Sequence, residues 1–467
     1  MRPELKEYDL DWLFAATFSI AKKLPGASEK EIEGLLKYVP YFKGLLGPLL
    51  SAGPPAYTFI DIFADYYTEL IQAKERGKKV AMTTFCFDPS IFYAMDIVPV
   101  TLEVGTVITS ILWKRGAFDF MDFCTEVGFS ETGCSSQRGT MGAYLAGAGV
   151  DIDVVAINMG GVCDTNANAY SFIAEYLKKP FYGLDYPATI TPDEVTAYHH
   201  KDYRALIRFL EDHTGNRFDI DRLRDILKET KRQNDLINEL EEMQRLVPNP
   251  MPGIYHLLIY GAKYAFSGQK KFTKMLKEMV GIVRDNATRG RSGLSGGKQE
   301  KLRAFLFYID SFALNVGMWD WLDKNGISHL GNLLSRFFPE DAPYSTGIPN
   351  TTFAIDTTDL DSMIDTLADI NARMPMTRTI RGPYDAPNMW LEDTLSLTKI
   401  YQADCCIYNG TPGCRNTWSN VKLIMRDLEK NGLPTHLVYA DAFDARVENW
   451  QVTKTRLDEF VNIRGLI

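Results

Sequence analysis

The stretch 151-DIDVVAINMGGVCD-164 decides the fold. From Val154 the side chains run apolar almost without interruption, and Gly160 and Gly161 stop the run. A strand that is apolar on both faces is covered on both faces, which is the condition of a parallel sheet sandwiched by helices. The flanks agree. 167-ANAYSFIAEYLKK-179 has the spacing of an amphipathic helix, and 180-PFYGLDYP-187 is a further strand. Upstream, 78-KKVAMTTFCF-87 and 95-MDIVPVTLEVG-105 are short β-branched and aromatic runs, separated by 89-PSIFYA-94, which suits a helix. Strands alternating with helices specify an α/β unit.

The same texture returns near the carboxyl end. 403-ADCCIYNG-410 is a strand, 416-NTWSNVKLIMRDLEKNG-432 a helix with Gly432 past its end, and 433-LPTHLVYADAF-443 a second strand. 453-TKTRLDEFVNIRG-465 closes as an amphipathic helix. Between the two units the helical period dominates. After Asp221, the residues Leu223, Ile226, Leu227, Leu236, Ile237, Leu240 and Met243 make one apolar stripe, which 247-VPNPMPG-253 terminates. The expected organisation is therefore a helical extension over 1–76, an α/β domain over 77–198, a helical domain over 199–346 and a second α/β domain over 347–467. In the extension, helical spacing runs through Leu5–Leu24 and Ile32–Leu46, with 47-GPLLSAGPPAY-57 as a break. The loop 288-TRGRSGLSGGKQEK-301 contains SGGKQ, a fragment like a phosphate loop, but Gln299 stands where Ser or Thr is required. It reads as a surface loop, and the chain is not expected to hydrolyse ATP.

Composition sets the outer bounds. The chain has 467 residues, 45% of them hydrophobic and 24% charged, which is the balance of a globular protein with a large core. A net charge of −9 and the absence of any basic run argue against a nucleic-acid partner. The amino end has no apolar segment of signal-peptide type and no run is long enough to cross a membrane, so a soluble, cytoplasmic protein is expected. Seven cysteines in such a chain point to redox or metal chemistry rather than to a disulfide framework.

Three of the seven define a candidate site: Cys134 in 128-GFSETGCSSQRGT-140, Cys163 in 157-INMGGVCDTNANAY-170 and Cys414 in 407-IYNGTPGCRNTW-418. Each lies close to glycine, where the backbone can approach a metal closely. Three thiolates fit an iron–sulfur cubane with one iron left open for a substrate. Cys163 and Cys414 fall just after strands of the two α/β units, at the edge where doubly wound sheets bind ligands. The expected fold is α/β, with two doubly wound parallel-sheet domains of flavodoxin or Rossmann type facing each other across a cluster cleft, plus helical segments. Cys405 and Cys406, adjacent in a strand, point to opposite faces. Cys86 and Cys124, flanked by phenylalanines, read as core. Ser135, Ser136 and Arg138 are candidate donors beside the site, and Asp164 a helix cap or loop-orienting residue. Arg446 and Arg456 read as salt-bridged surface residues.

The ordered series PSIFYAMDIVPVTLE, GCSSQRG, VCD, the segment from Asp202 to Asn234, ADCCIYNGTPGC and NGLPTHLVYADAFDAR resembles a known family. That family includes (R)-2-hydroxyacyl-CoA dehydratase subunits, the D-component among them, and the two related subunits of class I benzoyl-CoA reductase. The resemblance covers about residues 80–467. It implies that Cys134, Cys163 and Cys414 ligate a [4Fe–4S] cluster whose fourth iron takes water or a thioester carbonyl oxygen. It also implies an acyl-CoA substrate, a paralogous subunit or a second copy as partner, and a separate ATP-dependent iron–sulfur activator supplying one low-potential electron. A ketyl radical then loses the hydroxyl in a dehydratase, or an aromatic ring is reduced in a benzoyl-CoA reductase. Two alternatives stay open: a double-cubane reductase of small molecules, with Cys405 as an additional ligand, and a non-catalytic electron-relay subunit. The sequence departs from the pattern where many relatives carry a carboxylate after the first proline. Here Ser90 and Ile91 follow Pro89, with Asp88 and Glu103 the nearest acids. Cys405 itself stands where glycine is expected.

Overall fold

The described strands form two four-stranded parallel sheets of the same order, β2-β1-β3-β4 and β6-β5-β7-β8. The computed structural model describes residues 27–38, 52–85, 87–101, 114–159, 163–187, 191–309, 316–334, 354–380 and 386–467, together with Lys22, Glu103 and Thr106. Two helices lead in, α1 (Glu29–Tyr38) and α2 (Pro54–Ile71). The first unit is β1 (Lys79–Thr83), α3 (Ser90–Ala94), β2 (Ile97–Thr101), α4 (Lys114–Glu126), α5 (Ser135–Leu145), β3 (Val154–Asn158), α6 (Asp164–Leu177) and β4 (Phe181–Leu184). Four helices follow: α7 (Pro192–Thr214), α8 (Ile220–Met243), α9 (Ile254–Phe266) and α10 (Lys270–Thr288). The second unit opens with β5 (Leu302–Leu306), α11 (Val316–Lys324) and β6 (Ile327–Asn332), and continues through α12 (Leu360–Ala372), α13 (Pro375–Ile380) and α14 (Met389–Ile400). It closes with β7 (Cys405–Asn409), α15 (Arg415–Trp418), α16 (Val421–Lys430), β8 (Thr435–Val438) and α17 (Trp450–Ile463).

The apolar strands are buried on both faces, and their side chains alternate between two cores as strand geometry demands. Val80, Met82, Val155 and Ile157 enter a large cluster that also holds α2, α9 and α10 and the inner face of the second sheet. Ala81, Val154 and Ala156 enter a second cluster with α7, α8 and α12. In β7, Cys406 and Tyr408 face the large cluster, whereas Cys405 and Ile407 face a third one with α11 and α17. One core thus joins both sheets. α7 begins with Thr191 and Glu194 in a reciprocal cap around Pro192 and ends at Gly215, whose φ of 77° is open to glycine. The stripe expected on α8 is real: Leu223, Ile226, Leu227, Ile237 and Leu240 are buried.

Two expectations change. The stretch 199–346 is not wholly helical, because 302-LRAFL-306 and 327-ISHLGN-332 are buried strands of the second sheet. Both are short, buried on both faces and interrupted by polar residues such as Arg303 and His329, so they carry no period that separates strand from helix. The boundary at 347 also fails to divide the cores. α12, which lies beyond it, packs on the first unit, with Arg204 paired to Asp361 and Asp365 and His199 Nε2 bonded to the Ala368 carbonyl at 2.9 Å. Within the helical extension, α2 packs into the body of the chain: Tyr66 donates to the Pro99 carbonyl at 2.7 Å and its helix is part of the large core. Apart from Lys22, the helix expected over Leu5–Leu24 lies outside the described residues, as do Cys86 and residues 39–46 of the helix expected over Ile32–Leu46. In the SGGKQ loop, the Ser295 N–H and Lys298 both hold the carboxylate of Asp323, so an internal acid sits where a phosphate was imagined. Among the described residues, no helix is long and apolar enough to cross a membrane.

Candidate functional site: a three-thiol crevice between the sheets

Each sheet has its switch point between its two central strands, β1 and β3 or β5 and β7, because the chain leaves them toward opposite edges. Ligands bind doubly wound sheets outside the carboxyl ends of those strands. At the first switch point stand Thr83 and Thr84, buried hydroxyls with no partner among the described residues. Asn158 ends β3 and exchanges hydrogen bonds with Asn371 at 2.7 and 3.3 Å. Tyr186 donates to the same Asn158 oxygen at 3.1 Å. At the second switch point Asn409 ends β7 and donates to the Ile309 carbonyl at 3.3 Å. The two halves match in detail: Cys163 follows Asn158 by the same interval at which Cys414 follows Asn409.

The three sequence-predicted cysteines meet here, and each is the N-cap of a helix. Cys134 caps α5, Cys163 caps α6 and Cys414 caps the short α15. Burial pushes the Cys134 thiol well up, and Cys163, Cys414 and Asp441 add to the shift. Burial likewise raises Cys163 to about 12, with Cys414 the next cause. The backbone N–H groups of Gln137 and Asn166, each three residues into its helix, pull the other way. Thr417, three residues beyond Cys414, points its hydroxyl at the Cys414 sulfur at 3.6 Å. Cys134 and Cys163 therefore hold their protons until a metal ion displaces them. Tyr308 also bears on Cys414 through its hydroxyl, stacked on Tyr408 with centroids 5.3 Å apart.

The two units are locked around these thiols. A Cβ on Gly413 would stand 2.7 Å from the Gly133 carbonyl oxygen and 2.9 Å from the Cys134 Cα, so only glycine lets the loops touch. Ser135 donates to Asp441, Arg415 pairs with Asp164 at 3.0 Å, and Arg446 grips Asp122 at 2.8 and 2.9 Å. Asp164 therefore orients one cysteine loop against the other. Arg446 also holds Asp444, and Arg456 holds Glu448. Behind the thiols lies Glu103, buried, its carboxylate accepting from Gln137, Asn166 and Tyr170. Asp88 accepts the Ser90 N–H at 2.9 Å, and burial raises its carboxyl; burial lowers the Lys263 ammonium to about 7, each group opposing the other's shift. The structure does not bring Cys405 to the set. It begins β7, at the end of the strand away from Cys414, fully buried among apolar residues. Cys124 and Cys406 are core as well.

Sequence reasoning named the acids Asp88 and Glu103 without a role, and missed Tyr308 and Asp441. A spacing signal existed for Gln137 and Asn166, since each stands three residues past its cysteine. Among the described residues no group of three or more His, Cys, Asp and Glu is gathered tightly enough for one metal ion. Ligands of a cubane each bind a different iron and stand further apart, and three thiols without imidazole or carboxylate suit that cluster.

Comparison with known proteins gives the family. The family model for 2-hydroxyglutaryl-CoA dehydratase, D-component, matches residues 85–463. The lactoyl-CoA dehydratase subunit alpha of Anaerotignum propionicum is 22% identical over 426 residues, which cover 84% of this chain and 92% of that one. The (R)-2-hydroxyisocaproyl-CoA dehydratase alpha subunit of Clostridioides difficile is 23% identical over 283 residues, covering 58% of this chain and 68% of its own.

Proposed function

The chain belongs to the 2-hydroxyglutaryl-CoA dehydratase D-component family, and from that membership we propose that it is a subunit of an enzyme that removes water from a 2-hydroxyacyl-CoA. The observation that carries the reading is the convergence of Cys134, Cys163 and Cys414 at facing switch points. These cysteines hold a [4Fe–4S] cluster, which when bound supplies a Lewis-acidic iron for the thioester carbonyl and a low-potential electron.

The rest of the task falls to side chains. Thr83 and Thr84, buried without partners among the described residues, offer hydroxyls to a polar substrate at the first switch point. Asn158 is fixed by Asn371 and Tyr186 and presents a rigid amide edge beside them. Asp88 holds a proton more readily than an ordinary carboxyl, and the Lys263 ammonium, lowered to about 7 by burial, gives one up near neutral pH. Loss of water breaks the C2–oxygen bond and a C3–hydrogen bond and forms the C2–C3 double bond. That sum is redox-neutral, so an electron lent to start the reaction returns at its end. The electron needs a donor outside this chain, since no nucleotide loop is present in the sequence; a separate ATP-dependent activator fills that role. Both relatives are alpha subunits, which supports a second subunit as partner. Both are also named as dehydratases, which favours dehydration over reduction of an aromatic acyl-CoA. The placement of Cys405 gives a double cubane no support.

Iron and acid-labile sulfide per chain, measured after purification without oxygen, test the reading. Roughly four irons support it, about eight revive the double cubane, and none overturns it. Cys414→Ala separates catalysis from electron relay: turnover of a 2-hydroxyacyl-CoA by the activated complex should collapse, and persistence would leave only the relay role.

A further inference from the structure

We propose that Glu103 is a positioning residue that clamps together the two cysteine-bearing helix starts of the first unit. The inference rests on the reading of Cys134 and Cys163 as cluster ligands, and it goes beyond that reading by naming what holds them in place.

Glu103 lies just past β2, at the carboxyl edge of the first sheet, and is 5% exposed. Its Oε1 accepts from Gln137 Nε2 at 3.1 Å and from Asn166 Nδ2 at 3.2 Å, and its Oε2 accepts from the Tyr170 hydroxyl at 2.8 Å. Gln137 also donates directly to Asn166. Gln137 is the third residue of α5 and Asn166 the third of α6, so one carboxylate ties together the first turns of both helices. Tyr170, a turn further along α6, fixes the rotation of that helix. These three side-chain donors, with the backbone N–H groups of Phe85 and of Glu103 itself, converge on two oxygens, which is an arrangement only a carboxylate satisfies; an amide would present its own donors to at least one of them. Bonds from neutral donors to a buried carboxylate belong to the strong class. Both oxygens are engaged by these donors, so Glu103 acts on the sulfurs by holding the helix starts in place, and its charge also bears directly on Cys163. An acid–base role in turnover does not fit that geometry.

The test uses the full chain, with two readouts. In metal-free protein, alkylation of each cysteine by iodoacetamide is followed by peptide mass spectrometry, with the core residues Cys405 and Cys406 as internal controls of global folding. Glu103→Ala should raise the rates of Cys134 and Cys163 about tenfold, the cost of one charge-assisted hydrogen bond, and leave Cys405 and Cys406 unreactive. Equal rates in variant and wild type overturn the clamp. If Glu103→Ala exposes the control cysteines too, Glu103→Gln decides: a rise confined to Cys134 and Cys163 supports the clamp, and no rise overturns it. After anaerobic reconstitution, Glu103→Ala should retain less iron than wild type, and Glu103→Gln should shift the reduction potential upward through loss of a nearby negative charge. A wild-type chain that takes up no iron defeats the cluster reading alone, because the alkylation contrast stands apart from it.

Discussion

Replacing Gly413 by alanine separates the two halves of the site at one defined point. The added Cβ would lie 2.7 Å from the Gly133 carbonyl oxygen, 2.9 Å from the Cys134 Cα and 3.0 Å from the Gly133 carbonyl carbon. All three are backbone atoms, so no side chain can swing aside. Ordinary contact between heavy atoms needs about 3.5–4.0 Å, and the loops must therefore part by roughly 0.5–1 Å. Gly413 has no left-handed φ, so the penalty is steric and not conformational. Overpacking of this kind costs about 1–3 kcal/mol. The functional effect is larger than the cost suggests, because a metal-binding set tolerates about 0.5 Å of displacement. Cys414 moves off Cys134 by that distance or more. The assay is iron retention: wild type and variant are reconstituted without oxygen and challenged with a chelator. The variant should lose iron about 10–100-fold more readily, the range seen when support around metal ligands is removed. Gly281→Ala is the control. Gly281 lies within α10 with nothing near its Cβ, and alanine there should stabilise by up to about 1 kcal/mol. A Gly413→Ala protein that keeps iron like wild type would refute the reasoning, since the loops would then be shown to part without disturbing the thiols.

Serine at Cys134, Cys163 or Cys414 should abolish iron binding, whereas alanine at Cys405 should leave iron content unchanged; iron analysis of the four proteins decides. His199 is buried, with Nε2 on the Ala368 carbonyl, and burial lowers its pKa from 6.5 to about 4. Between those values the unfolded chain takes up the proton and the folded chain does not, so stability falls as pH drops from about 6.5 to 4, by roughly 3 kcal/mol in all. Urea unfolding at pH 7 and 5 should show a steeper loss in wild type than in His199→Gln; equal losses would exclude this histidine as the cause. Arg378 and Asp393 lie 3.7 Å apart with side chains 2% and 1% exposed. Arg378→Met takes the guanidinium away from the buried acid and should cost about 3–5 kcal/mol in urea unfolding, while pairing it with Asp393→Leu should recover much of that loss.

Much of the first sheet was legible because its strands are bounded by glycine or proline and separated by clear helical patterns. Val154–Asn158 could hardly be anything else. The cysteines were legible as a set through their glycine-rich neighbours, and the structure brings those three together. β5 was not legible, since 302-LRAFL-306 follows a long helical stretch and so short a run, interrupted by Arg303, suits either state. The packing of α12 on the first core was out of reach for a different reason: its apolar positions Met363, Ile364 and Leu367 show that it has a buried face, and nothing in them says against which sheet. The role of Glu103 was hidden because its partners lie far apart in sequence and meet only once both helix starts are folded.

The crossing of α12 onto the first sheet has a consequence for how the chain is born. The first sheet is complete in sequence at Leu184, yet part of the apolar lining of its outer face, Met363, Leu367 and Ala368, emerges much later. At translation rates of about 5–20 residues per second, that face waits on the order of ten to forty seconds for its last cover. The amino-terminal half therefore cannot be finished on the ribosome as an independent piece. Cutting the gene between the two sheets should yield two fragments that are each sticky alone and that recover solubility only when made together.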